Sequence, residues 1–174
     1  MAKTNTDIGT EITEPTTLVL FGATGGLSAK YLLPALGHLA KNGLLGPSFR
    51  LVGVSQQPLS NAQFRKWIAG IPATAGIGEI AKASHLTADL SGGDWDAALA
   101  KKIGTRPCRV VYYLATPPSL FQPIVEGLAR ARLNRRAAGR TPAIVLEKPF
   151  GRDLSSARKL NRHLARHFDE SQVF

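Results

Sequence analysis

The 174-residue sequence holds one cysteine, Cys108, which leaves no partner for an internal disulfide. Cys108 stands beside a predicted strand with no nucleophile constellation around it, so a buried structural thiol is expected. Apolar runs are short, and none approaches a membrane-spanning length. Residues 1–15 are polar and contain no apolar core of a secretory signal; they read as a flexible tail on a cytoplasmic protein, with residues 16–174 as one domain. Acid is scarce: 12 Asp and Glu stand against 22 Lys and Arg, a net charge of +10. Between Glu14 and Glu79 there is no acid at all, while Lys30, Lys41, Arg50, Arg65 and Lys66 fall in that gap. An acid-free segment favours an anionic ligand. Aromatics make up 7% of the chain and do not interleave with the basic clusters at Arg130–Arg140 and Arg152–Arg166. Those clusters therefore read as solvated faces, and neither a nucleic-acid nor a membrane partner is expected. No metal site is expected.

What is present is a strand, a glycine turn and a helix in immediate succession. Leu18 to Phe21 is a short apolar run of the kind buried on both faces of a sheet. Gly22, Gly25 and Gly26 follow, and from Leu27 the apolar period becomes helical through Tyr31, Ala35, Leu36 and Leu39. In such a unit Gly22 permits the tight turn, Gly25 lets a phosphate approach the backbone, and the helix start offers N–H groups to it. The spacing is Gly-x-x-Gly-x-x-Ser, with the small Ser28 where a third glycine commonly stands.

The rest of the chain alternates. Helix one is predicted from Gly25 to Asn42, bent near Pro34. Strands are predicted at Arg50–Val54, within His85–Asp89, at Arg109–Leu114 and at Ala143–Glu147. Helices are predicted from a Ser60 cap to Ala69, over Asp94–Lys102, from a Ser119 cap to Arg132, and from an Asp153 or Ser155 cap along a stripe of Leu154, Ala157, Leu160, Leu164 and Phe168. Residues 71–83 carry no clear pattern, and Gln172–Phe174 reads as the opening of a further strand. Alternating strands and helices predict an α/β fold: a Rossmann-like doubly wound parallel sheet in three αβα layers. Ligands of such sheets lie at the carboxyl ends of strands, which singles out residues 22–28, Ala115–Pro118 and Glu147–Gly151. The Lys148–Pro149 bond is a candidate for the cis form.

These stretches together resemble the coenzyme domain of the glucose-6-phosphate dehydrogenase family. That family carries Gly-Ala-Ser-Gly-Asp-Leu, Tyr-Leu-Ala-Leu-Pro-Pro and Glu-Lys-Pro-Phe-Gly-x-Asp-Leu in this order. Here they read Gly22-Ala-Thr-Gly-Gly-Leu27, Tyr113-Leu-Ala-Thr-Pro-Pro118 and Glu147-Lys-Pro-Phe-Gly-Arg-Asp-Leu154, followed by Ser156-Ala157 and Leu160-Asn161. The resemblance implies NADP-dependent oxidation of glucose 6-phosphate at C1 to the lactone. It implies that Gly22, Ala23, Thr24, Gly25, Gly26, Leu27 and Ser28 hold the coenzyme pyrophosphate. Ala115, Thr116 and Pro117 would line the nicotinamide side, and Lys148, set by Pro149, would contact sugar and coenzyme.

Three departures follow from the same motifs. Gly26 stands where the family has an acid. Gln56 and Gln57 stand where an arginine commonly holds the 2′-phosphate of NADP, and no Asp or Glu is there to select NAD, so use of either coenzyme is expected. His38, His85, His163 and His167 match no general-base motif, and the family's substrate segment and second domain have no counterpart in the sequence. The 174-residue chain alone is therefore expected to be inactive, and a missing second domain is expected to promote self-association. Two other classes remain as alternatives: a free-standing nucleotide-binding module without catalysis, and a short-chain reductase or epimerase. The latter lacks its Tyr-x-x-x-Lys, since Tyr31, Tyr112 and Tyr113 are followed four residues on by Ala35, Thr116 and Pro117.

Overall fold

Five short apolar segments pair side by side in parallel because each is followed by a helical crossover that returns the chain to the same end of the sheet. A computed structural model describes residues 14–74, 82–137, 139–149, 151 and 153–174. The strands are β1 (Thr16–Phe21), β2 (Arg50–Ser55), β3 (Ser84–Thr87), β4 (Cys108–Leu114) and β5 (Arg140–Leu146). Their order across the sheet is β3-β2-β1-β4-β5, all parallel. The helices are α1 (Leu33–Lys41), α2 (Asn61–Ala69), α3 (Trp95–Ile103), α4 (Phe121–Arg130) and α5 (Leu154–Ala165).

The two faces of the sheet divide the helices. Val19, Phe21, Val52, Val54, Val110 and Tyr112 point to one side, where Leu99 of α3, Ile124 of α4 and Leu164 of α5 cover them. Leu20 and Leu51 point to the other, where Leu33 and Leu36 of α1 and Phe64 and Ile68 of α2 close the second core. This is the expected doubly wound αβα arrangement. Trp95 meets Phe21 edge-on at 5.6 Å between ring centroids, and Gly127 leaves room on α4 for the Trp95 indole. Cys108 is a free, buried thiol, as expected.

Local signals behave as read at two helix starts. Ser60 accepts from the Gln63 N–H at 3.2 Å, and the Gln63 side chain accepts from the Ser60 N–H at 2.8 Å, a reciprocal capping box. Asp153 does the same with Ser156, and those bonds hold its carboxyl below the usual range.

Elsewhere the structure differs. Ser119 does not cap α4: it lies inside a 3-10 turn (Pro118–Leu120), and the N-cap position belongs to Leu120 without a side-chain bond. Pro117 and Pro118 hold that entry in a tighter turn than a Ser-capped α-helix would need. Helix one does not run evenly from Gly25. A π-helical turn (Ser28–Leu32), closed by the Leu33 N–H to the Ser28 carbonyl, precedes α1, and Pro34, which has no N–H to donate, sits in the first turn of α1. Leu154 is 66% exposed although it belongs to the apolar stripe of α5; only Leu164 and Phe168 of that stripe are fully buried. His167 lies just beyond α5 rather than on it. The strand expected to start at Gln172 begins one residue later: Val173 bridges Ile144, and the Phe174 N–H donates to the Ile144 carbonyl at 2.9 Å. Residues 1–13 of the expected tail, and much of the unpatterned 71–83, lie outside the described residues.

One histidine is built into the sheet. His85 on β3 is buried, its Nε2 2.9 Å from Ser55 Oγ and its Nδ1 3.1 Å from the Leu59 carbonyl. Burial pushes its pKa below the ordinary 6.5, with Lys102 adding to the effect. The unfolded chain then binds more protons than the fold in the window just under 6.5, so this contribution is complete above that pH and lost as pH falls through the lowered value. Half-buried His163, lowered by burial and by His167, adds in the same sense. Urea denaturation between pH 7 and 5 is therefore expected to show stability falling with acid, with a shallower slope in His85→Gln. An equal slope in that variant would remove His85 from the account.

Candidate functional site

The turn after β1 is fixed by hydrogen bonds that only a close approach of three strands allows. The Gly22 and Ala23 N–H groups both donate to the Val54 carbonyl of β2, at 2.9 and 3.1 Å. On the other side the Ala115 N–H, just past β4, donates to the Phe21 carbonyl at 3.0 Å. Gly22 has φ +76°, and a Cβ there would overlap the Ala115 carbonyl, so the position requires glycine for conformation and for space. Gly25 closes the turn by donating to the Gly22 carbonyl at 2.9 Å. The buried Ser28 donates its hydroxyl to the same carbonyl, also at 2.9 Å. A third glycine could not make that bond. Gly26 is exposed, with nothing within 4 Å of where a Cβ would stand, so the family's acid would fit there and its loss removes a polar group without changing the turn.

The neighbouring strands add their own ends to the same edge. Because β1 lies between β2 and β4, Gln56 and Gln57 flank the turn on one side and Ala115–Pro117 on the other, with Glu147–Pro149 one strand further out. The chain winds outward from β1 in both directions, so a crevice opens at β1 and β4 where the order reverses. Ala23 is buried, Thr24 and Ala115 are half-buried, Leu27 is partly exposed, and Gln56, Gln57, Pro117, Lys148 and Pro149 are exposed. Thr116 stands beside Gly22 with its hydroxyl buried and without a hydrogen-bond partner. A buried hydroxyl left unpaired is costly. The glycine turn and the point where the strand order reverses fit a dinucleotide lying across the strand tips.

Two features of the edge were not legible from motif spacing. Tyr113 donates its hydroxyl to Glu147 Oε1, joining β4 to the segment that carries Lys148. Burial, then this bond, raises the Tyr113 pKa to about 12, so it remains the donor across the physiological range. The alternation of side chains along β4 places Tyr113 on the opposite face from Tyr112, but nothing local pairs it with a residue 34 positions away. The second feature is Asp89, two residues past β3. Ser91 donates to it from its N–H at 3.0 Å and its hydroxyl at 2.6 Å, and those bonds, with Gln56, hold its carboxyl below the usual range. A carboxylate thus stands beside Gln56. The Lys148–Pro149 bond is cis, as expected. Three of the histidines lie away from the edge: His38 is exposed on α1, His85 is bonded inside the sheet, and His167 lies past α5, while His163 of α5 lines a pocket with Pro117, Pro118 and Pro149.

Fold and crevice together define a dinucleotide-binding α/β domain of the doubly wound class. The profile of the family described as glucose-6-phosphate dehydrogenase, NAD binding domain, matches residues 19–174. The chain is 38% identical over 163 residues to glucose-6-phosphate 1-dehydrogenase 1 of Mycobacterium tuberculosis, covering 90% of this chain and 33% of the relative. It is 35% identical over 168 residues to the glucose-6-phosphate 1-dehydrogenase of Zymomonas mobilis, covering 91% and 34%. Among solved structures, the Mycobacterium avium enzyme superposes with a TM-score of 0.76 at 35% identity over 92% of this chain and 36% of that one. A glucose-6-phosphate dehydrogenase in complex with glucose-6-phosphate gives 0.76 at 29% identity over 96% and 37%. The chain belongs to the glucose-6-phosphate dehydrogenase family, through its NAD-binding domain. It spans about a third of the length of the relatives it matches.

Tyr113→Phe removes the donor to Glu147 and leaves a carboxylate half-buried. A loss of about 1 kcal/mol is expected in urea denaturation, as for a single hydrogen bond to a charged acceptor partly open to solvent. Unchanged stability would mean that water replaces the bond without loss.

Proposed function

We propose that this chain supplies the coenzyme half of a glucose-6-phosphate dehydrogenase, in which hydride passes from C1 of glucose 6-phosphate to NADP and gives 6-phosphogluconolactone. The observation that carries the reading is the Gly22 turn, held between the Val54 and Ala115 backbones where the strand order reverses and where such sheets take a dinucleotide. Gly22–Ser28 hold the pyrophosphate through backbone N–H groups at the start of the helix. Gln56 and Gln57 meet the adenine ribose. Ala115, Thr116 and Pro117 line the nicotinamide side. Lys148 contacts sugar and coenzyme with its positive charge. The nicotinamide ring of the bound coenzyme is the hydride acceptor. The base that takes the C1 hydroxyl proton is read as lying outside this chain's histidines, because none of the four matches the general-base motif. The 174-residue chain by itself, with residues 16–174 as the domain, is therefore read as binding coenzyme without oxidising glucose 6-phosphate.

A second reading of coenzyme choice rests on Asp89. Its carboxylate beside Gln56 repels a 2′-phosphate and accepts from a ribose 2′-hydroxyl, which favours NAD. Calorimetric titration with NADP and with NAD separates the two. Thr116→Val is expected to weaken binding of either by about tenfold, while leaving the free chain as stable as before or slightly more so, because an unmet hydroxyl is removed. In the same titration Gln56→Arg is expected to tighten NADP over NAD by about tenfold. Binding unaffected by Thr116→Val would sink the crevice assignment.

Self-association is proposed through the β5 side. Phe174 is 64% exposed beside β5 and Leu154 of α5 is 66% exposed, and among the described residues the outer side of β5 is bridged at Arg140 by Ala137 and around Ile144 by Val173 and Phe174. Sedimentation of the chain is expected to show mass rising with concentration; a constant monomer mass over a wide range would exclude it.

A further inference from the structure

The opposite end of the sheet carries a cleft that the coenzyme reading does not use. It has a volume of about 600 Å³ and lies at the amino ends of β1, β2, β3 and β4, beside the end of α3. Four cations line it: Arg50, Lys82, Lys102 and Arg106. Among the described residues no carboxylate lines it.

Of the inner pair, Arg50 and Lys102, the arginine is held in place. Arg50 opens β2 and donates Nη1 to the Ile103 carbonyl at 3.1 Å and Nη2 to the Lys102 carbonyl at 3.0 Å. Arg140 donates to the Gly104 carbonyl at 2.8 Å. The last carbonyls of α3, which would repel an anion, are thus covered by two guanidinium groups, and the helix dipole is answered there. Lys102 is half-buried beside Arg50, and burial, then the Arg50 charge, lowers its pKa. No carboxylate acts in the other direction. Two like charges are therefore kept together in a partly desolvated cleft, an arrangement that costs free energy until an anion enters. Lys82 and Arg106 are exposed at the rim, where they are free to close on such a guest. The Phe49 ring is buried in the wall at 4% exposure and offers no face for a base to stack on.

We propose that this cleft is a second anion site, which takes a compact molecule bearing two linked phosphate groups and recognises the phosphates alone. It is independent of the crevice at the Gly22 turn. Free pyrophosphate and the diphosphate of a nucleotide present the same chemistry, and the buried Phe49 predicts that a nucleoside adds nothing.

The test is an amide-resolved NMR titration of the full chain with inorganic pyrophosphate, repeated with ADP. Shifts are expected at Ser84, Lys102, Arg106 and Cys108, with pyrophosphate bound at least as tightly as ADP and binding weakened by salt. In Lys102→Met/Arg106→Ala the pyrophosphate affinity at this end is expected to fall about tenfold or more. The remaining amide positions of that variant report whether it is folded, and Lys82→Ala, a change at an exposed rim residue, gives a milder version of the same loss. Shifts confined to Gly22–Ala29, affinity unchanged in both variants, or no shift at millimolar pyrophosphate would each overturn the proposal. ADP binding much tighter than pyrophosphate would overturn the phosphate-only recognition.

Discussion

The structure depends on one close approach: the carbonyl of Val54 accepting from both Gly22 and Ala23 while the Ala115 carbonyl presses against Gly22 from the other side. Three strands can converge this tightly only if the residue between them has no side chain and adopts positive φ. The same economy of space recurs one layer down, at Gly53 of β2. A Cβ there would overlap the Phe64 ring and lie 2.9 Å from the Ala23 Cβ. Helix α2, strand β2 and the turn are therefore packed through a glycine, and the position of the turn is coupled to the packing of the second core. Ser28 completes the constraint by returning its hydroxyl to the Gly22 carbonyl, a bond that also saturates a buried donor.

With the turn held in this way, a wholly parallel sheet follows. The central strands are covered on both faces, so polar groups that fall inside must find partners within the protein. They mostly do. Tyr112 donates to the Leu133 carbonyl at 3.0 Å, and burial holds its pKa well above the ordinary range. Asp96, buried on α3, pairs with Arg130 of α4 at 2.8 Å, tying two helices of one face together. Gln172 donates to the carbonyls of Asn134 and Pro142 at 3.1 and 3.0 Å, and so seats the final segment beside β5. Among the described residues, Thr116 Oγ1, Asn134 Oδ1, Arg140 Nε and His163 Nε2 are buried without a partner.

The charge of the chain is distributed along the same axis. The acid-free segment between Glu14 and Glu79 contributes the glycine turn at the carboxyl ends of the strands and Arg50 at their amino ends. Both ends of the sheet are consequently poor in carboxylate near β1 and β2. Asp89 is the exception at the carboxyl end, brought in by β3 pairing beside β2.

The strand–turn–helix unit, the Ser60 cap, a last-helix cap at one of two candidates (Asp153 or Ser155), the doubly wound fold and the family were legible in the sequence, because each rests on neighbours within a few residues or on motifs that keep their order. The stops and starts that depend on proline were less so: two successive prolines turned the Ser119 cap into a 3-10 entry, and Pro34 set a π-helical turn ahead of α1. Periodicity placed Leu154 on an apolar stripe but could not say that the stripe outruns the sheet it covers. The sequence by itself determined which residues form strands, turn and helices, since these follow from local sterics and the spacing of apolar side chains. Only the tertiary structure decided that Tyr113 meets Glu147, that Asp89 stands beside Gln56, and that Arg50, Lys82, Lys102 and Arg106 share one cleft. Those meetings join positions far apart in the chain, and strand order, which no local signal encodes, is what brings them together.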